Sequence, residues 1–153
     1  MHGLGHLMTS AGEGEFGNIA ANPVRQRVTF PNPVKARYFR FTATRAAHSD
    51  PYAIGVVIED LVENRVYYVT GDTLYNSRIF DSLPDTGRNI DVLFLPINGV
   101  GNNMNMTDAA RFAKKTHAMT VVPYHFGMFD ELDPKDFECR NKVIPTAWEE
   151  IEV

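Results

Sequence analysis

Four residues of this chain combine ligand or polar chemistry with one local context. His48, Asp72, Asn98 and His125 each stand just after an apolar or β-branched run breaks. Asp72 is the clearest case. The run Arg65-Val66-Tyr67-Tyr68-Val69-Thr70 halts at Gly71, and a carboxylate follows at once. Two imidazoles and a carboxylate form a ligand set for a divalent cation such as zinc. Each residue also has an ordinary turn reading, since Asp after Gly and Asn before Gly are turn pairs and a loop histidine is commonly a surface group. Convergence separates the two readings, because only residues brought to one edge of a sheet can share an ion.

The elements that must position them follow from the pattern of apolar residues. Residues 1–15, rich in Gly and His, read as a flexible lead. Residues 26–44 read as a hairpin broken at Pro31-Asn32-Pro33, with Ala36 to Thr44 as its longer strand. Gly55 to Glu59 and Arg65 to Thr70 read as a second hairpin around the turn from Asp60 to Asn64. If these strands are sequential antiparallel neighbours, His48 and Asp72 lie at the same edge. One helical turn is expected around Ser77 to Leu83. Ile90 to Ile97 is almost continuously apolar, the pattern of a strand covered on both faces.

Thr107 is the expected N-cap of a helix that ends near His117, and Met119 to Pro123 is the next buried strand. A strand, helix, strand unit of this kind crosses over right-handedly, so its two strands run parallel and their carboxyl ends point the same way. Ligands collect at such ends in a helix-covered sheet. Asn98 and His125 follow two of them. Asp133-Pro134 predicts a helix to about Arg140, and Ala147 to Val153 predicts a closing strand.

Bulk composition limits the function classes. The chain has 153 residues, 44% hydrophobic and 22% charged, which fits one globular domain, and the strand, helix, strand order gives it an α/β expectation. A net charge of -4 argues against nucleic acid as a partner. Cys139 is the only cysteine, so no internal disulfide forms. No run approaches the ~20 apolar residues of a membrane helix, and none forms a signal peptide; a cytoplasmic protein that does not bind membranes is expected.

The motifs carry a resemblance. Ala-Ala-His-Ser at 46–49, Tyr-Ala-Ile-Gly-Val-Val-Ile-Glu at 52–59, Val-Tyr-Tyr-Val-Thr-Gly-Asp-Thr at 66–73, Asp-Val-Leu-Phe-Leu-Pro-Ile-Asn-Gly at 91–99, Asn-Met-Asn-Met-Thr-Asp-Ala-Ala at 103–110 and Pro-Tyr-His-Phe-Gly-Met-Phe at 123–129 occur in order. Together they resemble the carboxyl-terminal half of a metallo-β-lactamase-fold hydrolase, in particular its ascorbate-6-phosphate lactonase-like branch. The resemblance implies half of an αββα sandwich across residues 46–153, preceded by a β-hairpin.

It also implies His48 and His125 as metal ligands and Asp72 as a catalytic, metal-bridging acid. Asn98, Asn102 and Tyr124 would border the substrate pocket. The implied cofactor is zinc or manganese, and the implied reaction is hydrolysis of a small-molecule ester, lactone or phosphodiester. The family's His-x-His-x-Asp-His motif does not occur in residues 1–45. Residues 16–45, with Ala-Arg-Tyr-Phe-Arg-Phe, resemble instead the last strands of a discoidin-like F5/8 type C domain. A chimeric, truncated hydrolase is therefore expected, holding one weak metal, with little activity and self-association through the uncovered sheet face. The alternatives are a carbohydrate-binding module or a vestigial fragment without catalysis.

Overall fold

The structure, a computed structural model, describes residues 32, 55–83, 89–127, 131–147, 149–151 and 153. The chain divides between Pro51 and Tyr52, and every element described below belongs to Tyr52–Val153. The expected lead at 1–15, the hairpin at 26–44 and the turn carrying His48 lie outside the described residues.

Four strands form one mixed sheet in the order β1-β2-β3-β4, with β1 at Val56–Asp60, β2 at Arg65–Val69, β3 at Val92–Pro96 and β4 at Thr120–Tyr124. β1 and β2 pair antiparallel, with Val56 opposite Val69 and Asp60 opposite Arg65. Asp60 starts the turn between them: its carboxylate accepts from the backbone N–H groups of Val62 at 2.8 Å and Glu63 at 3.0 Å. Those bonds hold its pKa below the ordinary carboxylate value. Asn64 closes the turn in the left-handed region, at φ 58°, a conformation that Asn tolerates better than most residues.

β2, β3 and β4 run parallel, and for β3 and β4 the crossover pattern predicts it. Asp91, just ahead of β3, locks the register at its start. Its carboxylate accepts from Val66 N–H at 2.7 Å, and its own N–H donates to Val66 C=O at 2.8 Å.

The crossover helix α2 covers Met106–Thr116 and buries Ala109, Phe112 and Ala113, one face of a 3.6-residue repeat. Its N-cap is Asn105, not Thr107. The Asn105 side chain accepts from Asp108 N–H at 2.9 Å, and its backbone is held extended by a bridge to Asn98. That bridge fixes where the chain can begin to coil, so Thr107 becomes an interior residue of the first turn. The helix ends at His117, which is left-handed at φ 53°.

Phe112 is fully buried and is the centre of the aromatic packing. Phe80 on the short helix α1 (Arg78–Ser82) lies 4.8 Å from it between ring centroids, Tyr75 lies 6.3 Å away edge-on, and Tyr68 of β2 also 6.3 Å away. Leu93, Leu95, Ile97, Met104, Val121 and Phe137 complete the core with no exposure.

Two expectations for the last part of the chain are corrected. The helix expected from Asp133 to Arg140 is a single 3-10 turn, Pro134–Asp136. Phe137 leaves that turn extended and wholly buried, and the Lys142 ammonium donates to the carbonyls of Lys135 and Phe137. Those acceptors are thus satisfied without a continuing helix. No described residue of 147–153 is in a strand. The outer edge of β4 is already taken: Val121 N–H donates to Asn141 C=O at 3.0 Å, and Val143 N–H donates to Val121 C=O at 2.8 Å.

Phe112→Ala is expected to cost about 3–5 kcal/mol by emptying the centre of the core, read as a lower denaturant midpoint with an unchanged slope. Burial also pushes the Tyr68 phenol above its ordinary 10.0, with Tyr124 adding to the rise. An acid raised on folding keeps its contribution below the unfolded-state value and loses it as pH rises toward the folded one. Stability should therefore hold up to about pH 10 and fall above it, while absorbance at 295 nm shows Tyr68 ionising only as the chain unfolds.

Candidate functional site

The site lies where the parallel strands end. Thr70 is buried, and its backbone N–H donates to Phe94 C=O at 3.0 Å, continuing the β2–β3 ladder one residue beyond β2. Gly71 then turns the chain at φ 66°, a conformation open to glycine without a Cβ penalty. Asp72 follows it into solvent. Beyond β3, Ile97 N–H donates to Tyr124 C=O at 3.2 Å, carrying the β3–β4 ladder to its last residue. His125 comes next, in the left-handed region at φ 55°. A non-glycine residue held there costs on the order of 1–3 kcal/mol, and such strain clusters at functional sites.

These two strand-end residues meet. His125 Nε2 lies 3.6 Å from Asp72 Oδ1, with the side chains 42% and 55% exposed respectively. The other ring nitrogen, Nδ1, lies 3.1 Å from the Asn103 side-chain amide nitrogen. One nitrogen is thus anchored by the protein, and the other faces a carboxylate beside open solvent. A carboxylate and an imidazole are ligand types for a divalent ion, and a metal-held imidazole donates its other ring N–H to an acceptor; the side-chain amide of Asn103, beside Nδ1, carries such an acceptor in its oxygen. Among the described residues, no group of three or more His, Cys, Asp or Glu side chains converges. Donors beyond this pair must come from elsewhere; His48, the third expected ligand, lies outside the described residues.

Tyr124 plays a part that its sequence position does not reveal. Its hydroxyl donates to Gly71 C=O at 2.8 Å and lies 3.4 Å from Thr70 Oγ1. It therefore ties the end of β4 to the end of β2 across the intervening strand. Burial pushes the phenol above its ordinary 10.0; the Thr70 hydrogen bond opposes that rise, and the nearby Asp72 charge adds to it. The hydroxyl stays protonated and keeps donating to the Gly71 carbonyl.

Asn98 has a structural use here: its Oδ1 accepts from Val100 N–H at 3.2 Å, and it bridges to Asn105. Asn102 is exposed, whereas its neighbour Asn103 is buried and reaches His125. The sequence reading missed Asn103. Its run of asparagines, Asn102-Asn103, flagged the loop but not which member turns inward. The loop decides that through Gly99, left-handed at φ 67°, whose N–H donates to Met104 C=O at 3.0 Å. A Cβ at Gly99 would stand 3.0 Å from Asn105 Cβ, so only glycine closes this turn without displacement. With Met104 buried behind it, Asn103 is delivered to the His125 ring.

An antiparallel hairpin leading into parallel strands defines a mixed α/β protein, with an acid and an imidazole at the carboxyl ends of two of those strands. Residues 6–126 match the family described as a beta-lactamase superfamily domain, and the chain belongs to that family. The matched span takes in residues 16–45. A UPF0173 metal-dependent hydrolase of Bacillus thuringiensis (strain Al Hakam) is 39% identical over 93 residues, covering 54% of this chain and 38% of that protein. A UPF0173 metal-dependent hydrolase of Bacillus anthracis (strain A0248) has the same identity and coverage. The metallo-β-lactamase fold protein YhfI of Bacillus subtilis shares 22% identity, with 43% of this chain and 30% of that chain covered and a TM-score of 0.33. The chain thus spans 38% of the length of the curated relatives it matches. No helix among the described residues is long and apolar enough to cross a membrane.

Removing the strand-end tie tests its structural role. Tyr124→Phe is expected to lower stability by about 1 kcal/mol, the net worth of one hydrogen bond, and to raise hydrogen-exchange rates selectively at Thr70 and Ile97. Unchanged exchange at both amides would show that the tie does not hold the two strand ends.

Proposed function

We infer that this chain carries part of the metal site of a hydrolase acting on a small-molecule ester, lactone or phosphodiester. Asp72 and His125 are read as ligands, with His48 as the third donor. The observation that carries this reading is the 3.6 Å approach of His125 Nε2 to Asp72 Oδ1 at the carboxyl ends of β2 and β4. Membership of the beta-lactamase superfamily domain family and similarity to proteins named metal-dependent hydrolases support it.

A bound zinc or manganese ion supplies Lewis acidity toward the substrate's carbonyl or phosphoryl oxygen. The chain's own residues hold and orient. Asp72 brings a charged oxygen on an exposed loop, where incoming substrate can reach it. His125 brings a nitrogen whose direction is fixed by Asn103. Tyr124 keeps the two strand ends in register and, with its hydroxyl committed to Gly71, acts through position rather than by touching substrate. Exposure of both ligand side chains leaves the pair open to water as well as substrate, so water exclusion requires further covering structure. A lactone is the favoured substrate within this class, following the lactonase-like resemblance of residues 46–137.

Three donors are fewer than a dinuclear site needs and match the minimum of a mononuclear catalytic one. Weak metal binding and low turnover are therefore expected of these 153 residues alone. Isothermal titration with zinc and with manganese, metal analysis after dialysis, and lactone hydrolysis on loaded protein test this. The wild-type chain should bind one equivalent, and His125→Ala and Asp72→Ala should each weaken binding at least about tenfold, the effect of losing one ligand-scale interaction. Equal metal binding by wild type and both variants would overturn the assignment.

A further inference from the structure

The exposed apolar side chains are unevenly placed. Leu61, Val62, Leu74, Val100 and Met119 are the large ones that stand out among the described residues. Leu74 and Val100 follow the carboxyl ends of β2 and β3, on the side of Asp72 and His125. Leu61, Val62 and Met119, which are 80%, 89% and 65% exposed, lie at the opposite end, where β2 and β4 begin. The starts of the parallel strands are tied there in a row. Val66 N–H donates to the Asp91 carboxylate at 2.7 Å, Thr120 N–H to Asp91 C=O at 2.8 Å, and Met119 N–H to Ile90 C=O at 3.0 Å. The row is about 10 Å across, two strand spacings, with Leu61 and Val62 beyond one end and Met119 at the other.

Turns favour Gly, Pro and short polar residues, yet this one presents a leucine and a β-branched valine. It is also ordered in advance. The Asp60 carboxylate holds the backbone N–H groups of Val62 and Glu63, and Asn64 closes the turn in the left-handed region, so little conformational freedom is left to lose on contact. Charge divides along the same row. Glu59, Asp60 and Glu63 stand at the turn, with Arg65 as a cation beside them. At the β4 side stand Lys114 and Lys115, in the last turn of α2, and Arg140, with Glu138 as an acid nearby. Arg140 is placed there by its neighbour Asn141, whose side chain donates to the carbonyls of Ala118 and Met119.

An end with acids at one side, bases at the other and apolar groups at both is complementary to itself after half a revolution. We propose that it is an isologous contact between two copies of this chain. Leu61 and Val62 of each protomer pack on the partner's Met119, and Glu63 faces the partner's Lys114. The contact lies away from Asp72 and His125, so both strand-end pairs stay open, and it stands whether or not they bind a metal. The patch is small, so association is weak and grows with concentration.

Sedimentation equilibrium of the full chain over a range of concentrations tests this. Wild type should pass from monomer to dimer and stop there, because a closed two-fold contact leaves no site for a third copy. Leu61→Ser with Val62→Ser should raise the dissociation constant at least about tenfold, the effect of making the centre of an interface polar. Both side chains are too exposed to support the core, and circular dichroism checks that the fold is kept. Glu63→Lys and Lys114→Glu should each weaken association, and the two together should restore it, since each protomer then carries the reversed pair. Glu63 meets Asp60 through its backbone N–H, so changing its side chain leaves the turn intact. A wild-type chain that stays monomeric at every concentration overturns the inference, as does growth beyond two copies. Unweakened association of the Leu61/Val62 variant, or a double charge variant no tighter than either single one, overturns it equally.

Discussion

The hydrogen bond from the Tyr124 hydroxyl to the Gly71 carbonyl, 2.8 Å long, joins two strands that are not neighbours. β2 and β4 flank β3, so their ends would otherwise be related only through two separate ladders. With the tie in place, the residues just past those ends, Asp72 and His125, are held as a pair. Thr70 contributes by presenting its hydroxyl to the same oxygen and donating to it at 2.9 Å. The Gly71 carbonyl thus accepts two hydrogen bonds at the point where the chain turns toward Asp72. The constraint is local, but it sets the distance on which any shared ligand depends.

Behind the tie, the sheet and its crossover helix supply rigidity. Phe112 packs against aromatics from β2, from the Tyr75 loop and from α1, so the segment following Asp72 is fastened to the helix that precedes β4. Arg111 and Lys115 extend this on the surface, with the Arg111 guanidinium 4.2 Å above the Tyr75 ring and the Lys115 ammonium 4.4 Å above that of Phe80. The same helix begins at Asn105, which closes the loop that delivers Asn103. Helix capping, loop closure and orientation of the His125 ring are consequences of one short segment, 98–105. A change at Gly99 would therefore be felt at His125, although the two residues have different chemistry and different strands behind them.

Much of the scaffold was legible in the sequence. The runs at 55–59, 65–70, 90–97 and 119–123 announced four strands within a residue or two of their ends, because a strand buried on one or both faces must be apolar in a short period. The parallel pairing of β3 and β4 followed from the handedness of crossovers. What failed were the caps and the tail. Thr107 and Asn105 are both good N-cap residues, and only the bridge to Asn98 selects between them. The tail after Asp133 looked helical and then extended, but burial of Phe137 and occupation of the β4 edge by residues 141–143 overrode those local preferences.

For the site, the sequence by itself determined the residue types and their places at strand ends: an acid after Thr70-Gly71 and a histidine after Pro123-Tyr124. Period and chain order are enough for that, since both follow from which residues avoid water. Tertiary structure alone decided that these two side chains stand 3.6 Å apart, that the Tyr124 hydroxyl serves Gly71, and that Asn103 rather than Asn102 faces the imidazole. Each of those depends on a hydrogen bond between residues far apart in the chain. Such a bond leaves no periodic trace in the sequence; it exists only once the core has fixed the strand ends and the loop beside them.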